Sequence, residues 1–300
     1  MIANTLGTTR AGVTNTMSGK IKQICAVLMV CLMAASVAAT AVGHSDADIA
    51  EVDTSWFDAS KTEFTLTTAA QLRGLATVAG TPFISGKTFF LGNDVDMGAT
   101  DSTGTNMKII GEGSFNATFD GRGHKISGIV MKAHEGSLRM GLFGTVEGTV
   151  KDLSISITIT GPANIAVSAE DNFIMAGCLA GEVNGGIISG CHVEAGSSIS
   201  LKTTAVDGCG GGYISAGGLV GQISMSSVTN CGSSATIDAY GSKSANVGGL
   251  TGTSYQRAGD KNEINNSYAT GTIKAQGDNQ VYVGGLAGVA FYALIKNSIS

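Results

Sequence analysis

The sequence predicts an all-β chain assembled as a stack of repeats, and three observations carry that expectation. The first is a glycine motif: Ala216-Gly217-Gly218-Leu219-Val220-Gly221 returns as Val247-Gly248-Gly249-Leu250-Thr251-Gly252 and Val283-Gly284-Gly285-Leu286-Ala287-Gly288. Looser forms stand at Gly177-Cys178-Leu179-Ala180-Gly181 and Gly141-Leu142-Phe143-Gly144, so the closing glycines Gly144, Gly181, Gly221, Gly252 and Gly288 are 37, 40, 31 and 36 residues apart. A period of that size marks a stacked architecture in which each unit buries its apolar face on its neighbours. The second observation is composition. With 44 glycines, 2 prolines and only 14% charged residues, the chain suits short strands and tight turns rather than helices or disorder. The third is the run 151–160, where Leu153, Ile155, Ile157 and Ile159 point one way and Ser154, Ser156, Thr158 and Thr160 the other. Strict alternation is the signature of a strand with one buried and one wet face.

The first 45 residues contain no acidic side chain and only Arg10, Lys20 and Lys22 as bases. Residues 24–41 are apolar behind that basic flank, become rich in small residues and end in Ala39-Thr40-Ala41. This is the pattern of a secretory leader, with residues 1–41 as signal peptide, cleavage before Val42 and a start that can equally be Met17. The competing reading is an uncleaved anchor, but Ala34, Ala35, Ser36, Ala38 and Ala39 weaken the segment as a span. Cleavage leaves 259 residues with 15 basic and 23 acidic side chains, a net charge of −8. Such a surface repels phosphates, which excludes nucleic acid as a partner, and any membrane contact is expected through the leader alone. Cys178, Cys191, Cys209 and Cys231 remain, too few for a disulfide-built scaffold. Cys191 and Cys231 share one repeat position, so they lie a layer apart, near disulfide reach; buried thiols are the preferred reading.

Residues 42–55 read as a polar linker, and order is expected from Trp56-Phe57. Phe64-Thr65-Leu66 forms a short strand. Thr68 and Gln71 make a T-x-x-Q capping box, followed at helical spacing by Leu72, Leu75, Ala76 and Ala79, with Gly80 and Pro82 as the stop. This single helix, 68–79, is placed as the cap over the first layer, whose edge a solenoid would otherwise leave bare. Lys87 to Leu91, Asn93 to Met97, Ile109-Ile110-Gly111 and Phe115 to Ile129 then supply glycine-punctuated short strands. In the last three repeats, the closing glycine is followed by Val228-Thr229-Asn230-Cys231, Ile264-Asn265-Asn266-Ser267 or Ile295-Lys296-Asn297-Ser298. Asn230, Asn266 and Asn297 fit left-handed turn positions and a layer-to-layer amide ladder. Residues 257–262 and 208–213 read as projecting loops. The run stops at Ser300 just inside a new repeat, as expected of a fragment or a longer parent protein.

The order Gln71-Leu72-Arg73-Gly74-Leu75-Ala76, then Phe89 to Met97 (FFLGNDVDM), then Phe119-Asp120-Gly121-Arg122-Gly123-His124, then the G-L-F-G and G-G-L-V-G units resembles the GLUG-repeat proteins of bacterial surfaces. The resemblance spans about residues 56–300, with 56–140 as cap and first coils and 141–300 as the repeats. It departs at Asn116-Ala117, where a glycine is usual. What it implies is a right-handed parallel β-helix.

Candidate chemistry is thin. Asp94 and Asp96, two apart on one strand face, could serve glycosidic cleavage or hold calcium, but strand termination is the simpler account. Asp120 and His124 flank a tight turn and could form an acid-base pair, or Asp120 simply bonds turn amides. His44, His134 and His192 have no metal spacing, and no H-E-x-x-H, G-x-S-x-G or phosphate loop occurs, so the zinc protease activity of some GLUG-bearing proteins is not expected in this segment. No cofactor and no metal are expected. The leading expectation is an exported or cell-surface protein acting in adhesion or display, its ligand a glycan or host protein met by loops and by Tyr213, Tyr240, Tyr255 and Tyr268. The alternatives are a polysaccharide-active enzyme using Asp94, Asp96, Asp120 and His124, or a spacer within a larger secreted protease.

Overall fold

The computed structural model describes residues 51–98, 100, 104–134, 136, 138–162, 164–167, 173–205, 212–255 and 261–300. The leader and Met17, residues 42–50 of the expected linker, His44, Cys209 and most of the two loops lie outside them.

The described chain is all-β apart from one α-helix and one short 3-10 turn, Pro82–Ile84. Every strand pair is parallel, and the strands form four sheets of eight, ten, five and five strands. The chain visits the sheets in a fixed order. Ile187–Ser189 lies in the eight-stranded sheet, His192–Val193 and Ser198–Ala205 in the ten-stranded sheet, and Tyr213–Gly217 and Val220–Ser224 in the two five-stranded sheets. Ser227–Thr229 then returns to the eight-stranded sheet beside Ile187–Ser189. One pass is one layer, which is why the glycine period measured in the sequence appears as the spacing between paired strands.

Registers place like residues on like. Phe64, Phe89, Phe119, Val150, Ile188, Val228, Ile264 and Ile295 form one column of the eight-stranded sheet. All but Ile295 are buried, so the column is the core spine. In the ten-stranded sheet, the alternation at 154–160 is realised as expected, with Ile155, Ile157 and Ile159 at 2% exposure or less and the hydroxyl residues outward. At one end, rings take over from aliphatic side chains: Phe64 stacks on Phe89 at 5.4 Å, and Phe115 packs on Phe143 at 5.0 Å.

The helix, Ala69–Val78, follows the first strand and buries Leu72, Gly74, Leu75 and Val78. Thr68 caps it by accepting a hydrogen bond from the Gln71 amide at 3.2 Å. The reciprocal bond shifts by one residue, since the Gln71 side-chain oxygen accepts from the amide of Thr67, at 2.8 Å, rather than that of Thr68. Residues 53–56, partly read as linker, lie against this helix. The Asp53 amide donates to the Ala70 carbonyl at 2.9 Å, and a β-carbon on Gly74 would sit 1.8 Å from the Asp53 carbonyl oxygen. Asn106, which no sequence motif marks, is a buried hub. Its amide donates to Gly98 and Gly128 carbonyls and its oxygen accepts from the Val130 amide.

The closing glycines have a packing reason. A β-carbon at Gly221 or Gly252 would stand 2.5 Å from the amide nitrogen of Ala176 or Ala216, and one at Gly288 the same distance from that of Val247. At these positions the two five-stranded sheets approach so closely that only hydrogen fits, and no closing glycine has a positive φ. One set of left-handed positions lies elsewhere, at Asp152, Gly190, Asn230, Asn266 and Asn297, each just after a strand of the eight-stranded sheet. The amide ladder there is partial: Asn266 donates to Asn230 at 3.3 Å, whereas Asn297 turns to Asn265.

Candidate functional site

Outward side chains of the ten-stranded sheet come from successive layers and so form columns. Ser200, Asp238 and Lys274 stand in one register row, and Lys202, Tyr240 and Gln276 in another. Together with Pro162 they line a groove of about 410 Å3. Lys274 pairs with Asp238 at 2.8 Å, Lys202 rests its ammonium 4.7 Å from the centre of the Tyr240 ring, and the Tyr240 hydroxyl donates to Asp278 at 2.6 Å. That carboxylate raises the Tyr240 pKa by stabilising the protonated phenol. Further along the same sheet, Tyr268 reaches across Gly232 to His192, with ring centres 6.0 Å apart and planes within 26° of parallel. Tyr255 sets its ring edge-on against Phe291, and Tyr213 packs on Phe173 with Lys243 above it.

The four residues weighed for acid-base chemistry are held differently. His124 faces Asp94 at 3.3 Å, not Asp120, while Asp120 pairs with Lys151 at 2.9 Å and accepts the Arg122 amide across the turn. Asp94 also accepts the Lys125 amide, and that bond, with the neighbouring imidazole, lowers its pKa. Partial burial pushes Asp120 up, but the Lys151 ammonium and the Arg122 amide outweigh it, leaving the carboxyl below its ordinary value. Asp96 accepts the Gly98 amide at the end of its strand. Neither the groove nor a second cavity of about 650 Å3, walled by Met107, Met131 and Met140, is lined by any of these four. Among the described residues no three His, Cys, Asp or Glu side chains are placed to hold a metal, and no helix is long and apolar enough to cross a membrane. Cys178, Cys191 and Cys231 are buried free thiols.

One pass through the sheets carries a known signature. The model of the GLUG motif matches residues 212–238. The chain carries a GLUG motif. In the structure it comprises the two strands Tyr213–Gly217 and Val220–Ser224 with their glycine corner, the strand Ser227–Thr229, the left-handed Asn230 and the start of Thr236–Gly241. The passes that close at Gly144, Gly181, Gly252 and Gly288 repeat this order of strands around the same glycine unit. A search of curated proteins gave no match. Among solved structures, the crystal structure of a candidate immunoglobulin A1 protease from Bacteroides ovatus is 19% identical, with a TM-score of 0.42 over 79% of this chain and 74% of that one.

Proposed function

We propose that the chain is an exported right-handed parallel β-helix acting at the cell surface or outside the cell in adhesion or display. Parallel crossovers within one sheet are right-handed in nearly all proteins, which supports the hand. The helix Ala69–Val78 then covers the first layer. The observation that carries the functional reading is the outer face of the ten-stranded sheet. It sets hydroxyls, paired charges and Tyr240 and Tyr268 in columns from successive layers, as a surface for contact rather than an enclosed reaction site. In-register layers would equally make a stiff spacer in a longer secreted protein, and binding separates the two.

The purified protein recovered from the native host should begin at Val42 and bind polysaccharide- or protein-coated surfaces without altering them. Recovery only inside the cell with the leader attached would overturn the export reading. Shortening of a polysaccharide, abolished in Asp94→Asn, Asp96→Asn or Asp120→Asn, would make the protein an enzyme instead.

A further inference from the structure

We propose that the outer face of the ten-stranded sheet binds an extended, neutral polysaccharide laid along the strands and held at two aromatic platforms. This rests on the surface-binding reading and names its ligand class. The first platform is Tyr268 with His192. A β-carbon built on Gly232 would meet the Tyr268 ring at 2.2 Å, so the ring lies flat on the sheet over the bare backbone of that glycine. Its hydroxyl comes within 3.5 Å of His192 Nδ1, and the two nearly parallel rings form one exposed shelf. Gly232 is therefore the vacancy that makes the platform. The second platform is Tyr240, tethered through its hydroxyl to Asp278, with the Lys202 ammonium over one face of the ring and Pro162 and Gln276 beside it in the groove.

Gly232 and Tyr240 belong to the same layer, separated by eight residues of nearly continuous strand. At the rise of a strand this is roughly 25 Å, the span of several pyranose rings but not of two. Hydroxyl groups occupy the interval: Thr158, Ser198 and Thr236 share one register column, and Ser234 bonds Thr270 at 2.9 Å. The carboxylates beside the platforms are engaged, Glu194 by Lys125 at 3.6 Å, Asp238 by Lys274 and Asp278 by the Tyr240 hydroxyl, and Asp96, farther along the sheet, accepts the Gly98 amide. The surface thus offers flat rings and hydroxyls, with Glu194 and Asp238 already paired to lysines. Pyranose polymers match that chemistry, laying C–H faces on rings and exchanging hydroxyl hydrogen bonds, and a neutral chain avoids opening the ion pairs.

The test is calorimetric titration of the full chain with neutral hexasaccharides of β-1,4-glucan, β-1,4-mannan, β-1,3-glucan and α-1,4-glucan, their disaccharides, and polygalacturonate. At least one hexasaccharide should bind about tenfold or more tightly than its disaccharide, and Tyr240→Ala and Tyr268→Ala should each weaken it by about tenfold. Gly232→Ala, which lifts the Tyr268 ring off the sheet, should reproduce Tyr268→Ala, with circular dichroism confirming that all three variants fold. Preference for polygalacturonate, equal affinity for disaccharide and hexasaccharide, no hexasaccharide binding, or binding untouched by the variants would each overturn the proposal. Adhesion of the same protein to intact cell surfaces, measured in parallel, keeps the two readings apart. If adhesion persists without hexasaccharide binding, only the ligand class falls; if both are absent, the surface-binding reading falls with it.

Discussion

Asn230, Asn266 and Asn297 have φ of 54°, 48° and 48°, and their column shows how far a residue type alone can be read. An asparagine recurring at one place in the repeats announced a left-handed turn, and that is the backbone found there. The ladder of amides was only half legible, because Asn297 donates to Asn265, a choice set by side-chain rotamers that no spacing encodes. If the conformation matters more than the amide bond, Asn230→Gly should be nearly neutral, while Asn230→Ala should cost about 1 kcal/mol for an alanine held left-handed. Equal losses in chemical denaturation would give the ladder the larger share. The acids were less legible still. Asp120 and His124 are four residues apart, yet His124 meets Asp94 from the previous layer and Asp120 meets Lys151 from the next. Since the folded state holds Asp120 below its ordinary value of 3.8, its contribution is present above that pH and disappears as pH falls through the lowered value. Thermal unfolding measured between about pH 6 and 2 should therefore lose less on acidification in Asp120→Asn than in the wild type, from a slightly lower starting point.

At the scale of the element, the glycine unit was plain in the sequence but its cause was not. Positive φ and close approach both predict glycine, and only the position of the second five-stranded sheet decides between them. A β-carbon at Gly221 would sit 2.5 Å from both the Ala176 nitrogen and the Gly181 oxygen, backbone atoms that cannot swing aside. Gly185, by contrast, has φ of 72° and open space around its missing β-carbon. Gly221→Val should then cost about 3 kcal/mol or more by forcing the sheets apart, and Gly185→Ala about 1 kcal/mol from backbone conformation alone. Urea midpoints for the two variants compare the mechanisms directly; a milder loss at Gly221 would show that the sheets can separate there. The helix was the most legible element, because a cap, an apolar stripe and a glycine stop are all local. Its shifted capping bond and the anchoring of Asp53 were not, since they depend on how the preceding segment folds back.

For the whole molecule, layers that contact mainly their neighbours make stability a sum of unequal local terms rather than one quantity. The spine column runs from Phe64, Phe89 and Phe119 through Val150 and Ile188 to Ile264 and Ile295, so buried side-chain volume falls along the stack. At the aromatic end, Phe89, Phe115, Phe119 and Phe143 are fully buried. Apolar burial drives the pairing of each layer, so opening should begin where least is buried. Native-state hydrogen exchange should find the slowest amides in Thr88–Leu91, Thr118–Asp120 and Thr149–Lys151 and faster exchange in Ser227–Thr229 and Asn262–Asn265, where the column is aliphatic. Phe89→Ala should lower the highest protection by about 3 kcal/mol or more while leaving the fast-exchanging strands almost unchanged, because their opening never involves that ring. Equal protection in every strand, falling together in Phe89→Ala, would show that the layers instead open as a single cooperative unit.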